Sequence, residues 1–267
     1  MRFSLNTVIF RDRNVEDSLP MLKGLAYDGV EIAWIPREHP FYMGKDINVS
    51  RLRSACSALD LPVAALCPFY PPEYNLSHTS ITKRRRAIDY AKHMIEASAE
   101  LGAKVVVVLP SACYAKPTGD FGEEWRNAVD SLKEIGHYSQ EYGVVLAVEP
   151  ITRFLTHIVT NVDQALMLVK EAQTPSLGVM ADTFHMNIEE KTIEEALRHA
   201  NGSLVHVHVS DSNNLAPGSG HLDFRKFFDV LDDIQYGGFV SAELAVSPSE
   251  AEHAAAATIK FLRHLRG

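Results

Sequence analysis

A chain of 267 residues with 46% apolar residues can bury one large core, and barrels of repeated strand-helix units commonly have about 250 residues. The net charge of −8 disfavours nucleic acid or an anionic membrane as the main partner, and every apolar run is too short for a membrane span. Cys56, Cys67 and Cys113 are odd in number and scattered, and no apolar signal segment precedes the first predicted strand, so a cytoplasmic protein without a disulfide framework is expected.

Strand-like runs and helical patterns alternate along the chain without a linker-like break. The predicted strands are 2–8, 30–35, 61–67, 104–109, 144–149, 177–182, 203–209 and 238–243. The predicted helices are 15–27, 49–59, 82–101, 125–142, 162–172, 193–200, 224–234 and 250–265. Eight such pairs favour an α/β fold, a single-domain (β/α)8 TIM barrel over residues 1–267, rather than an open doubly wound sheet. No Gly-rich dinucleotide or phosphate motif follows the early strands, which also disfavours the open sheet.

Four residues that can bind metals stand at or near the ends of the last four predicted strands. They are Glu149, Asp182, His208 and Glu243, separated by 33, 26 and 35 residues, each step close to one strand-helix unit. In a barrel, the carboxyl ends of the strands converge on one mouth. Three carboxylates and one imidazole meeting there would form a site for a divalent cation.

Each of these residues also has a second interpretation. An unpaired carboxylate at the end of an apolar strand is costly, so Glu149 requires either a metal or a salt bridge, for which Arg153 is the nearest candidate. Asp182, taken alone, is equally suited to capping the turn after it. His206 and His208 point the same way because they lie two residues apart on a strand. His208 is nearer the mouth and is the preferred ligand, whereas His206 is expected to be a hydrogen-bonded core imidazole.

The segment after Asp182 is predicted to be a loop above the mouth. His185 lies three residues past Asp182. It is interpreted as a hydrogen-bond donor to substrate, with a loop histidine satisfied by the backbone as the alternative. The basic run at 83–86 opens a predicted helix and is interpreted as a solvated helix face rather than a phosphate grip.

Several motifs between positions 148 and 243 closely resemble the sugar phosphate isomerase/epimerase superfamily, the xylose isomerase-like TIM barrels. The motifs are Val-Glu-Pro at 148–150 with Arg-Phe at 153–154, Ala-Asp-Thr-Phe-His-Met-Asn-Ile-Glu-Glu at 181–190, His-Val-His-Val-Ser-Asp-Ser-Asn at 206–213, Ala-Pro-Gly-Ser-Gly-His-Leu-Asp-Phe at 216–224, and Ser-Ala-Glu at 241–243. Its best-known members are the tagatose/psicose 3-epimerases and the ketouronate- and ketogluconate-type epimerases.

This resemblance implies a site and an activity. It implies one divalent ion, Mn²⁺ by preference with Mg²⁺, Co²⁺ or Zn²⁺ as alternatives, held by Glu149, Asp182, His208 and Glu243. The two glutamates would also be the catalytic acid/base pair, and His185 would touch a small sugar substrate. A homodimer or homotetramer is expected on the same ground. Independently of the family, epimerisation next to a ketone needs a proton removed from one face and returned on the other, through an enediolate.

Two positions depart from the family pattern. Leu155 stands where the ketohexose epimerases have an acidic residue, and Asn214 stands where they have an arginine. In the family those residues bind oxygens of the substrate, so an ordinary free ketohexose is disfavoured here. A glycoside or another keto-sugar derivative is predicted instead, with Leu155, Asn214, His185 and Arg153 as the substrate contacts.

Three other functions compete with the epimerase. A metal-dependent lyase or hydratase of a 3-keto sugar or glycoside would use the same enediolate. An apurinic endonuclease-like DNA-repair nuclease is remote, because the fourth predicted strand ends in Pro-Ser-Ala at 110–112 without a histidine and the net charge is negative. A sugar-binding barrel without turnover is disfavoured because all four ligand positions are filled.

Overall fold

The computed structural model describes residues 1–266, and eight parallel strands in it close into one barrel. The strands are β1 (Arg2–Asn6), β2 (Gly29–Trp34), β3 (Val63–Pro68), β4 (Val105–Val108), β5 (Val145–Val148), β6 (Leu177–Asp182), β7 (Leu204–Val209) and β8 (Phe239–Ala242). Each strand pairs with its neighbours in chain order, and β8 pairs with β1. The predicted (β/α)8 barrel is therefore confirmed.

The helices connect successive strands and surround the barrel. They are α1 (Val15–Gly24), α2 (Val49–Ala58), α3 (Ile81–Leu101), α4 (Phe121–Tyr142), α5 (Val162–Ala172), α6 (Thr183–Glu189), α7 (Ile193–His199), α8 (Phe224–Asp233) and α9 (Ala251–Leu265). Helix α6 occupies the segment predicted as a loop after Asp182. That prediction was wrong, and the helix places His185 on an ordered element.

Side-chain caps fix several helix starts. The side chain of Asn48 accepts a hydrogen bond from Arg51 N at 2.9 Å, and that of Asp120 accepts one from Glu123 N at 2.9 Å. Helix α4 consequently begins at Phe121 rather than at the predicted position 125. Helices α3 and α4 are followed directly by Gly102 and Gly143, which adopt the left-handed conformation with φ of 77° and 63° and so terminate the helices.

The core divides into two regions. Most buried apolar side chains form one large cluster that includes residues of both the strands and the helices. A separate apolar cluster contains Cys67, Val107, Ala147 and Met180 from four successive strands, together with residues of the loops above them. The interior near β7, β8, β1 and β2 is instead polar, with Ser4, Asn6, Glu31, His206 and Ser241 all buried.

The strand pairing shifts by one residue at two places in the barrel, once between β6 and β7 and once between β2 and β3. Between β6 and β7, Val179 pairs with Leu204 but Met180 pairs with His206, so that Val205 is the extra residue. Between β2 and β3, Val30 pairs with Val63 but Glu31 pairs with Ala65. The first shift places Asp182 opposite His208, so both side chains leave the sheet on the same face.

Candidate metal centre and active site

The four side chains predicted as ligands lie together at the carboxyl ends of β5 to β8. Glu149 follows β5, Asp182 ends β6, His208 lies near the end of β7 and Glu243 follows β8. One donor atom from each of the four lies within 4.8 Å of the corresponding atoms of the other three. Glu149, Asp182 and His208 are buried, and the side chain of Glu243 retains 22% exposure.

His208 Nδ1 stands at the centre of this group. It lies 3.0 Å from Glu243 Oε2, 3.7 Å from Asp182 Oδ2 and 4.0 Å from Glu149 Oε1. The atom is buried and has no hydrogen-bond partner. The other ring nitrogen, Nε2, lies 2.7 Å from the carboxylate of Glu31.

Asp182 combines both roles that its sequence position suggested. Its Oδ1 accepts hydrogen bonds from Phe184 N at 2.7 Å and His185 N at 3.3 Å, which caps the start of α6. Its Oδ2 faces the imidazole of His208. One carboxylate therefore starts α6 and contributes to the cluster.

Glu31 is a buried charged residue that sequence reasoning missed. Its Oε2 lies 2.6 Å from His206 Nε2, and its Oε1 lies 2.7 Å from His208 Nε2. His206 is thus a hydrogen-bonded core imidazole. A sequence signal existed, since Glu31 interrupts the apolar strand Gly-Val-Glu-Ile-Ala-Trp, but its partners are on β7, which is three strands away around the barrel through β1 and β8.

The electrostatics of the cluster follow from burial and from the mutual proximity of its members. Burial and the carboxylates of Glu243 and Asp182 raise the pKa of Glu149 well above its usual range. Burial opposes ionisation of Glu31 as well, but the imidazoles of His208 and His206 outweigh it and hold the pKa of Glu31 well below its usual range. Similarly, His208 is buried, yet Glu31 and Glu243 raise its pKa well above the ordinary value.

The donor set fits a divalent cation. When the His208 ring is neutral, the lone pair on Nδ1 faces three carboxylates without a donor between them, which is electrostatically unfavourable. A cation among these groups would remove the repulsion and satisfy the buried nitrogen. Three hard oxygen donors suit Mn²⁺ or Mg²⁺, the imidazole also suits Zn²⁺, and the set is unsuited to a soft ion such as Cu⁺.

His185 lies beside the cluster, whereas the guanidinium of Arg153 is paired with Glu189. His185 is buried, and its Nε2 lies 4.0 Å from Glu149 Oε1. The guanidinium of Arg153 instead pairs with Glu189 at 2.7 Å and its side chain is 65% exposed. The alternative salt bridge between Glu149 and Arg153 was therefore wrong, because Arg153 Nε and Nη2 both donate to the carboxylate of Glu189.

Leu155 and Asn214 lie in the loops after β5 and β7. Leu155 is half-buried and packs against the apolar cluster of Cys67 and Met180. Its carbonyl accepts a hydrogen bond from Tyr114 N at 2.7 Å, which joins the loops after β4 and β5. Asn214 has a left-handed backbone with φ of 60°, and its Oδ1 accepts from Ser210 Oγ at 3.1 Å.

The chain resembles curated proteins and solved structures over nearly its whole length. It is 26% identical to the 3-dehydro-D-guloside 4-epimerase of Escherichia coli over 98% of this chain and 99% of that protein. It is 30% identical to the D-psicose 3-epimerase of Ruminiclostridium cellulolyticum over 82% of this chain and 74% of that protein. The crystal structure of 3-keto-D-glucoside 4-epimerase from E. coli superposes with a TM-score of 0.84 at 25% identity, covering 100% of this chain and 99% of that one.

The fold is also shared with L-ribulose 3-epimerase, with a TM-score of 0.89 at 21% identity over 99% of this chain and 94% of that one. Within residues 1–266, none of the helices combines the length and apolar character needed to cross a membrane. The family model described as the xylose isomerase-like TIM barrel matches residues 20–265. The chain therefore belongs to the xylose isomerase-like TIM barrel family, and its homologues there include sugar 3- and 4-epimerases.

Proposed function

We propose that this protein is a divalent-metal-dependent epimerase or isomerase of a ketose or keto-sugar derivative, which transfers a proton at the carbon next to the ketone. The observation that carries the proposal is the convergence of Glu149 and Glu243 on His208 Nδ1, a buried nitrogen without a hydrogen-bond partner. Two carboxylates beside a cation site provide both an acid and a base at one carbon.

Glu149 and Glu243 are the proposed proton-transfer groups. Epimerisation requires one carboxylate to take the proton from one face of the carbon and the other to return a proton to the opposite face. They come from β5 and β8, which are not neighbours in the barrel, so they approach the substrate from different directions. A bound cation would polarise the ketone and stabilise the negative charge that develops on its oxygen.

The curated relatives support this chemistry because the reactions in their names both invert a carbon next to a ketone. A 3-dehydro-D-guloside 4-epimerase inverts the carbon beside a ketone at C3, and a D-psicose 3-epimerase inverts the carbon beside a ketone at C2. The position of the ketone differs, but each reaction inverts a carbon next to a carbonyl. The same acid/base pair suits both reactions.

We further propose that the substrate is a keto-glycoside or another substituted keto sugar. A relative that matches over 98% of this chain and 99% of its own length is a 3-dehydro-D-guloside 4-epimerase. Leu155 offers an apolar surface in the loop after β5, at the position where the resemblance to the ketohexose epimerases implies an acidic residue in those enzymes. His185, close to Glu149, is the proposed hydrogen-bond donor to a substrate hydroxyl. Mn²⁺ is the proposed ion.

A hydrogen-exchange experiment tests the proposal. The purified Mn²⁺-loaded protein would be incubated in D₂O with ketoses, keto-uronates and 3-keto glycosides, and then freed of metal for NMR. Deuterium at the carbon next to the ketone, with inversion at that carbon, is the expected result. Loss of water or of the glycosidic group instead would assign a lyase or hydratase, and no exchange across the panel would contradict the proposal.

A further inference from the structure

Glu31 is a carboxylate at 0% exposure that forms no salt bridge with a lysine or arginine among residues 1–266. Its partners are two imidazoles and an amide. Oε1 lies 2.7 Å from His208 Nε2 and accepts from Asn6 Nδ2 at 2.8 Å, and Oε2 lies 2.6 Å from His206 Nε2. All three partners can donate to a carboxylate, so both oxygens are used.

The contact with Glu31 fixes which nitrogen of His208 carries a hydrogen. At 2.7 Å from a carboxylate oxygen, Nε2 must be the donor, because two facing lone pairs would repel each other. In the neutral ring this leaves the lone pair on Nδ1. That lone pair faces the carboxylates of Glu149, Asp182 and Glu243.

Asn6 links Glu31 to Glu243 through its side-chain amide. Its Oδ1 accepts from Val8 N at 3.0 Å, which orients the amide, and its Nδ2 donates to Glu31 Oε1 and, at 3.3 Å, to Glu243 Oε1. The other oxygen of Glu243, Oε2, lies 3.0 Å from His208 Nδ1. Glu31 is thus bonded directly to one proposed ligand and through one amide to a second.

We propose that Glu31 is a positioning residue that holds His208 with Nδ1 directed at the cation site and, through Asn6, orients the carboxylate of Glu243. His206 completes the anchor by occupying the second oxygen of Glu31. This role rests on the proposed cation site but not on the identity of the sugar. An acidic partner on the outer nitrogen also makes an imidazole a better donor to a cation.

A direct ligand role for Glu31 fits the geometry less well. Glu31, Cys67 and His208 do have donor atoms within 4.8 Å of one another. In that arrangement, however, His208 would have to present Nε2 to the ion, and this nitrogen is already bonded to Glu31. Both oxygens of Glu31 already have hydrogen-bonded partners, whereas Nδ1 has none.

The test combines cation affinity with the protonation pattern of one ring. Calorimetric titration of the metal-free protein with MnCl₂ should give an affinity about 10–100-fold weaker for Glu31→Gln than for the wild type. The matched control is Ser4→Ala, which removes a buried hydroxyl without a partner from the neighbouring strand and should leave the affinity unchanged. Circular dichroism and thermal unfolding would establish that the variants fold.

The second readout is the tautomer of His208 by ¹H–¹⁵N NMR of histidine-labelled, metal-free protein, with assignment by His208→Gln. At a pH above the raised pKa of His208, where the ring is neutral, the wild type should carry the proton on Nε2, and Glu31→Gln should shift the population toward Nδ1–H. A purely structural role of Glu31 would not move this signal. If Glu31→Gln does not fold, the wild-type spectrum and the His206→Gln variant test the proposal instead. In His206→Gln the Glu31 carboxylate is still present, so His208 should still carry its proton on Nε2.

A neutral wild-type His208 ring with its proton on Nδ1, or an unchanged Mn²⁺ affinity in folded Glu31→Gln, would overturn the proposal. These outcomes are separate from a failure of the proposed function. Tight Mn²⁺ binding with the expected tautomer but no turnover on any keto sugar would refute the epimerase and leave the role of Glu31 intact.

Discussion

Asp182 lies directly opposite His208 across the β6–β7 pair because β7 contains one extra residue, Val205, before His206. Without this shift, Asp182 would pair with Val207, and its side chain would leave the sheet on a different face from the imidazole of His208. Bulges commonly redirect a side chain next to an active site. Here the bulge brings a carboxylate and an imidazole to the same side of the barrel.

The cluster of Glu149, Asp182, His208 and Glu243 predicts that one divalent ion binds per chain. Asp182→Asn should weaken the binding of that ion. Asn caps a helix about as well as Asp, so α6 should persist while a charged donor is lost. His208→Ala should also remove binding, because it deletes the nitrogen at the centre of the cluster. In both variants the loss of cation affinity should exceed the roughly 10–100-fold loss that follows removal of a hydrogen-bond partner of a ligand.

Elemental analysis and calorimetry with MnCl₂ would measure this effect. His199→Ala is the matched control, since the side chain of His199 is 63% exposed and lies on α7. Wild-type protein that contains no metal after preparation with excess Mn²⁺ would refute the assigned cation site.

Glu149→Gln and Glu243→Gln should each reduce turnover of the active keto sugar by about 10²–10⁴-fold, the usual contribution of general acid/base catalysis. Gln preserves the size of the side chain but cannot exchange a proton with carbon. Rates would be measured at saturating Mn²⁺ to separate proton transfer from weaker metal binding. Glu141→Gln, an exposed change on α4, is the control and should be as active as the wild type. A near-wild-type rate in either active-site variant would show that the base is misassigned.

Much of this architecture could be predicted from the sequence because each barrel unit has a local pattern. Strand β6 at 177–182 and helix α5 at 162–172 have the predicted bounds, since periodic apolar residues and a capping Asn161 delimit them. Short α6 was missed because seven residues carry too little periodicity to distinguish a helix from a loop.

The residues that surround the candidate site were harder to predict. Glu31 contacts residues 175 and 177 positions away, and no local rule pairs distant strands across a barrel. Arg153 is near Glu149 in sequence, but α6 brings Glu189 to its guanidinium. Both contacts depend on tertiary geometry: the closure of the barrel, which brings β2 and β7 to a common interior, and the helix that Asp182 starts.

Glu124 on α4 binds the loop after β4 through hydrogen bonds to Thr118 and Gly119. The contribution of these hydrogen bonds to stability should depend on pH. The buried carboxylate accepts from Thr118 Oγ1 at 2.7 Å, Gly119 N at 3.2 Å and also from Thr118 N, and it contacts His157 Nε2. Burial opposes ionisation, but the hydrogen bonds from Thr118 and the contact with His157 outweigh it and lower the pKa of Glu124 below the ordinary 4.5.

A lowered folded-state pKa stabilises the protein above the unfolded-state pKa and loses that contribution as pH falls through the folded value. Glu124→Gln should therefore reduce the free energy of unfolding by about 1–3 kcal/mol at pH 7. The difference from the wild type should shrink as the pH falls below the ordinary value of 4.5. Urea unfolding at several pH values would measure it, with Glu141→Gln, an exposed change on the same helix, as the control. A difference that is constant down to pH ~3 would contradict the role of the ionised carboxylate.

Leu155 should determine which sugars react. It is half-buried against the apolar cluster at the mouth and offers no acceptor to a sugar hydroxyl. A site that hydrogen-bonds a hydroxyl discriminates by orders of magnitude, whereas an apolar surface discriminates weakly. Fructose and tagatose should therefore be poor substrates of the wild type, and Leu155→Glu should raise their kcat/KM relative to that of the best keto-glycoside.

Steady-state kinetics with fructose, tagatose and the best keto-glycoside would measure this ratio in both proteins. Leu155→Met keeps an apolar side chain of similar volume and should leave the ratio unchanged. Because the Leu155 carbonyl bonds to Tyr114 N through the backbone, neither substitution removes the link between the loops after β4 and β5. If the wild type epimerises fructose or tagatose as efficiently as the best keto-glycoside, then Leu155 does not select against free ketohexoses.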